Sequence, residues 1–445
     1  EGVTPTNDLE RSQVTLNSSY HLSSKLTSRI NFNSAKQKSA NRTDNGYGRN
    51  TFMYFFTWMP RNVDINAMRN YWQPGFEGIR QFQYNYGENH NNPFFLQYED
   101  TKGQDKNHLY GNIALEYAFT DKLKLKVRTA EDHYDDFRPM RWAVSTVDYE
   151  NGRYEEVNIK YEERNTDFLL TYNDAFAGGD VNYNVSIGGN QFDQSGNNSS
   201  TAAPALLVPG VYNLGNTASP LTAYSNSFLK RINSLYAMAS FDYKKLVYLD
   251  LTARNDWSST LPENNNSYFY PSVGINTDLK QLFKAGDALS QAQLRFSWAQ
   301  VGNDAGPYQI NNTYGYGAPW GNNYSLVGNS TLMNSDLKPE ITSTYEVGTA
   351  LGFFKNRLGL DLTYYDIRSR NQIVSLPLVQ SSGATNKLIN AGEIKNTGVE
   401  VMLTAVPVDL PRSLSWSFNI NFSRNVGRVV ALTDEVDKIV QAAPG

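Results

Sequence analysis

The sequence predicts an all-β protein, an antiparallel transmembrane β-barrel of outer-membrane type, on three observations. Apolar and polar residues alternate with period two along most of the chain. The connections between alternating segments are by turns very short and very long. Aromatic residues, 13% of the 445, collect beside the short connections, as an interfacial girdle requires.

The alternation recurs in Leu109–Phe119, Lys122–Arg128, Val181–Ile187, Val247–Ala253, Arg357–Tyr364, Val399–Ala405 and Leu414–Arg424. In Lys122–Arg128, Leu123, Leu125 and Val127 share one face, and Lys122, Lys124, Lys126 and Arg128 the other. In Leu414–Arg424 an apolar series (Leu414, Trp416, Phe418, Ile420, Phe422) alternates with Ser and Asn. Soluble antiparallel sheets alternate too, but the connections argue for a barrel. Short turns are expected at Leu22–Ser24, Thr120–Lys122, Ala177–Asp180, Lys244–Lys245, Phe354–Asn356 and Pro407–Arg412. Long irregular stretches are expected at Lys38–Asn107, Ser195–Arg231, Asn303–Ile341 and Arg370–Ile394. The girdle aromatics are Phe119, Phe176, Tyr243, Phe353 and Phe354.

This pattern gives about fourteen strands, short of the roughly 22 of plugged outer-membrane transporters. Open edges in lipid leave backbone groups unpaired at several kcal/mol each, so the barrel reads as incomplete, with further strands expected beyond Gly445. The chain starts EGVTPTND, without Met or a leader pattern, and stops at QAAPG directly after a strand; both ends read as cut.

Composition narrows the classes. No run of 18 apolar residues is present, which excludes a transmembrane helix. The mean hydropathy of −0.53 does not exclude a membrane, because a barrel averages lipid-facing against lumen-facing residues. With no Cys there is neither a disulfide framework nor a thiolate metal site. A net charge of −4 offers no basic surface, and no nucleic-acid partner is expected.

Four stretches carry a resemblance. They are Arg254–Pro271 (RNDWSSTLPENNNSYFYP), Leu337–Gly348 (LKPEITSTYEVG), Asn390–Glu400 (NAGEIKNTGVE) and Pro60–Trp72 (PRNVDINAMRNYW), the last followed by Asn92-Pro93-Phe94. Taken in their order along the chain they resemble SusC-like, TonB-dependent transporters of Bacteroidetes, from about Thr51 to Val406. The resemblance implies a barrel filled by an N-terminal plug and capped by a SusD-like surface lipoprotein. It implies energy from the TonB–ExbB–ExbD complex, acting on a segment before the plug, and glycan or peptide substrates. Residues 1–445 then read as a partial barrel domain lacking plug and C-terminal strands, surrounded by outer-membrane lipid. The motif residues Asp256, Trp257, Ser258, Ser259, Pro262, Tyr268, Pro271, Pro339 and Glu340 have architectural readings. Asp256 and Ser258 can close a turn onto backbone amides, and Pro339 fixes the chain before a strand.

The chemistry-bearing clusters are sparse. Asp132, Asp135 and Asp136 are a weak calcium candidate, since alternate strand residues face opposite sides and a solvated strand end explains them as well. Glu155/Glu156 and Glu162/Glu163 are adjacent pairs that point apart, unlike glycosidase carboxylates. The four His lack metal-ligand spacing. Gly315–Gly321 has the wrong glycine spacing for a phosphate loop, and Ser227–Lys230 lacks the partner motifs of a β-lactamase tetrad. No enzyme and no cofactor are expected. Tyr71 and Trp72, with Tyr314, Tyr316 and Trp320, stand in the two longest loops. They could stack on substrate, meet the lid lipoprotein, or pack within their own loops. The rival functions are a passive porin, which needs neither plug nor energy, and a surface-exposed glycan-binding or adhesion β-protein.

Overall fold

The computed structural model describes residues 4–42, 46, 48–85, 90–286, 288–410 and 413–432. Ten strands follow one another in an antiparallel meander: β1 (Glu10–His21), β2 (Leu26–Ser39), β3 (Gln104–Ala118), β4 (Leu123–Thr146), β5 (Tyr149–Phe176), β6 (Val181–Ala203), β7 (Thr222–Tyr243), β8 (Val247–Ser258), β9 (Ser267–Asp278) and β10 (Leu289–Asn303). An excursion then carries a separate ribbon, β11 (Tyr314–Trp320) with β12 (Asn323–Gly328), and the two-residue β13 (Thr331–Leu332). The meander resumes with β14 (Glu340–Phe353), β15 (Leu358–Pro377), β16 (Asn386–Leu410) and β17 (Leu414–Ala431). Short helices α1 (Phe52–Trp58) and α2 (Pro93–Tyr98) lie between β2 and β3, and α3 (Leu279–Leu282) between β9 and β10. Among the described residues the meander strands number fourteen, as the alternation indicates, and their sheet is open: β1 pairs with β2 and β17 with β16.

Register turns the sequence alternation into two faces. Leu125, Leu170, Ile187, Ala237, Ala253 and Pro271 stand in one cross-strand row of an apolar face. Three residues along, on the opposite side of the sheet, Arg128, Asp167, Asn190, Ser234, Asp256 and Tyr268 form a row of the polar face. A slip of one residue would exchange the rows, so the pattern itself holds the register. Glycines seat large rings across the strands: Phe168 lies opposite Gly189 on the apolar face and Tyr236 opposite Gly188 on the polar face. Pro271 has no N–H to donate, and the pairing of β9 with β10 stops at Ser272 beside it.

At one end the strands are joined by Leu22–Lys25, Phe119–Lys122, Ala177–Asp180, Lys244–Leu246 and Phe354–Arg357, where the short turns are expected. Lys244 and Lys245 both take positive φ (51° and 56°), the primed-turn geometry that matches strand twist. Phe119, Phe176, Tyr243 and Phe354 are exposed at this end. The turn expected at Pro407–Arg412 lies partly, and the C-terminal QAAPG wholly, outside the described residues.

At the other end the connections are 40–103, 204–221, 259–266, 304–339 and 378–385. Those at 40–103 and 304–339 lie where the sequence places them, whereas 204–221 and 378–385 are shorter than the sequence suggests, because β6, β7, β15 and β16 run on through Ser195–Ala203, Thr222–Arg231, Arg370–Pro377 and Asn386–Ile394. These extensions lack an apolar face, so period two does not reveal them. One hairpin at this end is tight: Val147 and Asp148 alone join β4 to β5.

Candidate functional site

The polar row faces a cleft of about 510 Å³ lined by Arg128, Asp167, Lys230, Arg254, Asp256 and Asp304 among others. Its charges are matched. Arg128 pairs with Asp167 at 2.7 Å, Lys230 with Asp304 at 2.7 Å, and Arg254 Nε donates to Asp256 Oδ1 at 2.7 Å. The Tyr270 hydroxyl donates to Asp256 Oδ2 at 2.6 Å, and Arg254 also reaches Ser234 Oγ at 2.9 Å. Asp256, only 5% exposed, is therefore a wall residue and not the turn-closing residue the sequence suggests. Its strand position aims it across the sheet, and Arg254 two residues back shares its face. Turn closure falls to its neighbours. Ser259 Oγ accepts the Arg231 amide at 2.9 Å, and Ser258 Oγ accepts the Thr260 amide at 3.3 Å. Trp257 alternates to the apolar face, and Pro262 opens the bend that Asn265 N–H closes on its carbonyl at 2.8 Å.

The separate motifs meet at the base of connection 304–339. Asp304 accepts from Lys230, from Thr260 Oγ1 at 3.0 Å and from Ser258 Oγ. Tyr268, Leu261, Ala305, Leu337 and Leu388 form one buried cluster. Asn390 brackets the chain at Lys338 with two hydrogen bonds. Glu340 begins β14 directly after Pro339; its Oε1 accepts the Ile373 amide at 2.7 Å and its Oε2 the Asn303 amide group at 3.0 Å. So the three C-terminal motifs, scattered from Arg254 to Glu400, are one scaffold holding both ends of a single surface connection. Asp304 and Asn390 carry most of this; a lone Asp in a loop gives no pattern from which its role could be read.

That connection presents the ribbon. Tyr314 (75% exposed), Tyr316 (87%), Trp320 (88%) and Tyr324 (90%) stand free of the sheet. Tyr314, Tyr316, Tyr324 and Leu326 share one face of the β11–β12 pair by register. No charged residue occurs from Ala305 to Ser335. Tyr324 belongs with this group and was available from the sequence as the next ring in the loop.

Tyr71 and Trp72 are placed differently. They are half-buried within connection 40–103, where Trp72 meets Phe95 edge-on at 5.2 Å and Tyr71 stacks on Tyr98 at 5.9 Å. The Tyr71 hydroxyl donates to Glu99 at 2.9 Å; burial, then that bond, pushes its pKa up to about 12. Asn92 organises the segment. Wholly buried, it caps α2 by accepting the Phe94 and Phe95 amides, and it donates to the Met68 and Phe82 carbonyls. Gln81, Asn91 and Asp100 then dock the segment on the tip of the β4–β5 hairpin.

The calcium candidates do not converge. Asp132 and Asp136 share the polar face and Asp135 lies on the other. Asp132 meets His108 at 2.8 Å, Asp136 meets Arg138 at 2.7 Å, and Asp135 meets His133 at 3.1 Å. Among the described residues no group of three or more His, Cys, Asp or Glu is arranged to hold a metal ion.

A family model described as TonB dependent receptor-like, beta-barrel matches residues 41–442. The chain belongs to that family. The family is one of receptors and transporters, not enzymes, and its barrels reside in the bacterial outer membrane. The apolar face is therefore the lipid face, and the polar row lines the lumen. Among curated relatives, TonB-dependent receptor P3 of Formosa agariphila is 26% identical over 81% of this chain and 36% of its own length. TonB-dependent receptor SusC of Bacteroides thetaiotaomicron is 25% identical over 50% of this chain and 23% of its own. The chain thus spans well under half the length of these relatives. The RagAB peptide transporter structure superposes with a TM-score of 0.82 at 18% identity, covering 97% of this chain and 48% of that one. The siderophore receptor PiuA from Acinetobacter baumannii gives 0.55 at 14%, covering 97% and 58%. These likenesses establish the barrel fold.

Proposed function

We propose that this chain is the barrel wall of a TonB-energised importer of oligosaccharides or peptides, working with an N-terminal plug and a SusD-like lipoprotein lid. The observation that carries the reading is the ribbon: four strongly exposed rings, free of charge, on a connection whose two ends are fixed to the lumen wall. Flat apolar faces beside amide side chains suit either the C–H face of a sugar or a peptide side chain, and they equally suit contact with a lid. Tyr71 and Trp72 support the mouth from within their own loop. A sheet with two free edges in lipid must be closed, so the reading calls for further strands; it also calls for a plug and a TonB-contacting segment elsewhere in the protein.

The test is uptake by cells carrying the full-length gene. Accumulation of labelled oligosaccharide or peptide that needs TonB supports the reading. Accumulation that persists without TonB would make the protein a passive pore. Tyr316→Ala with Tyr324→Ala is expected to lower uptake or lid affinity while barrel assembly is unchanged; no effect on either would remove the ribbon from the function.

A further inference from the structure

A buried carboxyl group fastens the mouth-side loop to the barrel. Asp100, in the link from α2 to β3, is 6% exposed and lies against the tip of β4. Its Oδ1 accepts the Ala143 amide at 2.8 Å. The Thr146 hydroxyl, itself wholly buried, lies 2.8 Å from Oδ1, 3.1 Å from Oδ2 and 2.8 Å from the Ala143 carbonyl oxygen.

A hydroxyl has one proton to donate. If Asp100 is ionised, Thr146 must choose between the carboxylate and the Ala143 carbonyl, and one buried acceptor goes short. If Asp100 is protonated, every group is served. Asp100 Oδ2–H donates to Thr146 Oγ1, Thr146 donates to the Ala143 carbonyl, and the Ala143 amide donates to Asp100 Oδ1. We propose that Asp100 is a proton-operated catch, which in its neutral form locks connection 40–103 onto the β4–β5 hairpin and on ionisation releases it.

The surroundings agree. Burial, the largest influence, raises the Asp100 pKa to about 7; the Ala143 and Thr146 bonds and Lys102 oppose it, and Glu99 adds to it. The groups facing it are Glu99 and Lys102 on its own segment and Tyr212 from connection 204–221. Arg141 of β4 sits over the Tyr212 ring at 5.3 Å. Of the other fastenings, Gln81 to the Ser145 carbonyl and Asn91 to the Val147 amide are neutral amides that do not titrate, and Arg49 pairs with Asp148 at 3.6 Å with both side chains half exposed. Asp100 is thus the buried titrating member of the clasp.

The sign follows from linkage. The folded pKa lies above the unfolded value, so the clasp is strongest below about pH 4 and weakens as pH rises to about 7, then stays constant. Hydrogen exchange on the full-length protein in detergent, corrected for intrinsic rates, reads this directly. Amides of residues 94–103 are expected to lose protection by somewhat under tenfold per pH unit from pH 5 to 7, roughly fiftyfold in all. Asp100→Asn, which can accept from Ala143 and donate to Thr146, is expected to keep protection and abolish the slope. Thr146→Ser, which keeps the hydroxyl, should retain the slope. Equal protection at pH 5 and 8 in the parent protein, or an unchanged slope in Asp100→Asn, would overturn the proposal.

Discussion

Asn390 holds Lys338 on both sides: its Oδ1 accepts the Lys338 amide at 2.8 Å and its Nδ2 donates to the Lys338 carbonyl at 2.7 Å. The same Nδ2 reaches the Asn371 carbonyl at 2.9 Å, where β15 takes a positive φ of 56°. Two family motifs, 52 residues apart, are therefore joined by one amide group. Asn390→Ala should cost about 1–2 kcal/mol, since these bonds are partly replaced by water at an exposed site. Asn390→Asp keeps the acceptor and loses both donations, so it should be nearly as harmful. Limited proteolysis of the full-length protein checks this: cleavage between Ala305 and Asp336 should accelerate in both variants. Unaltered cleavage would show that Asn390 does not anchor the connection.

Leu337, wholly buried between Leu261, Tyr268, Ala305 and Leu388, should be the more costly loss. Leu337→Ala removes a large core side chain, a change worth about 2–5 kcal/mol. The effect should concentrate in the connection, because the strands below are held by their own ladders. Faster exchange of amides in 304–339 with an unchanged barrel melting point is the expected outcome; a lowered barrel melting point with no local change would contradict it.

The strands were legible and their caps were not, for one physical reason. A lipid-facing strand must alternate, so Lys122–Arg128 and Arg357–Tyr364 show their two faces in the sequence. Above the lipid no face has to be apolar along its length, since connections cover single positions such as Ala203 and Leu388 and leave others polar, so the extensions Ser195–Ala203 and Asn386–Ile394 carry no such demand. The rings at Tyr71 and Trp72 look the same in sequence as those at Tyr316 and Trp320. Phe95 and Tyr98 pack the first pair within its loop, whereas nothing among the described residues covers the second. Asp256 shows the same limit: a strand-end Asp suggests a cap, and only the register shows Tyr270 and Arg254 converging on it.

The paired glycines of β6 make a sharper test of the wall. A Cβ on Gly188 would lie 2.5 Å from the Tyr236 ring and 2.8 Å from the Phe168 carbonyl oxygen. A ring can turn aside but a strand carbonyl cannot, so Gly188→Val should block assembly even when combined with Tyr236→Ala. On Gly189 the nearest atoms are ring carbons of Phe168 at 2.6 and 3.1 Å, on the lipid side where the ring is free to swing. Gly189→Ala should therefore fold with reduced stability. Heat-modifiable mobility of the full-length barrel on gels distinguishes them. Normal assembly of Gly188→Val would mean that the strand yields where close packing says it cannot.

The loop tyrosines set an alkaline limit on the mouth. Burial is the first cause that holds both Tyr71 and Tyr212 up to about 12; Glu99 adds to it for Tyr71, and Asp100 and then Glu99 for Tyr212. Their phenols ionise near 10 in an unfolded chain. Between pH 10 and 12 the folded loops therefore bind more protons than the unfolded ones, and stability falls as pH rises through that window. Below pH 10 the contribution is fully present. Tyr71→Phe keeps the stacking on Tyr98 and removes the ionisable group, so it should move the onset of loop opening to higher pH while weakening the loop slightly at pH 8, where the bond to Glu99 is lost. Proteolysis of 40–103 as a function of pH reads both effects. An onset unchanged by Tyr71→Phe would assign the alkaline limit to other groups, with Tyr212→Phe the next variant to separate the two loops.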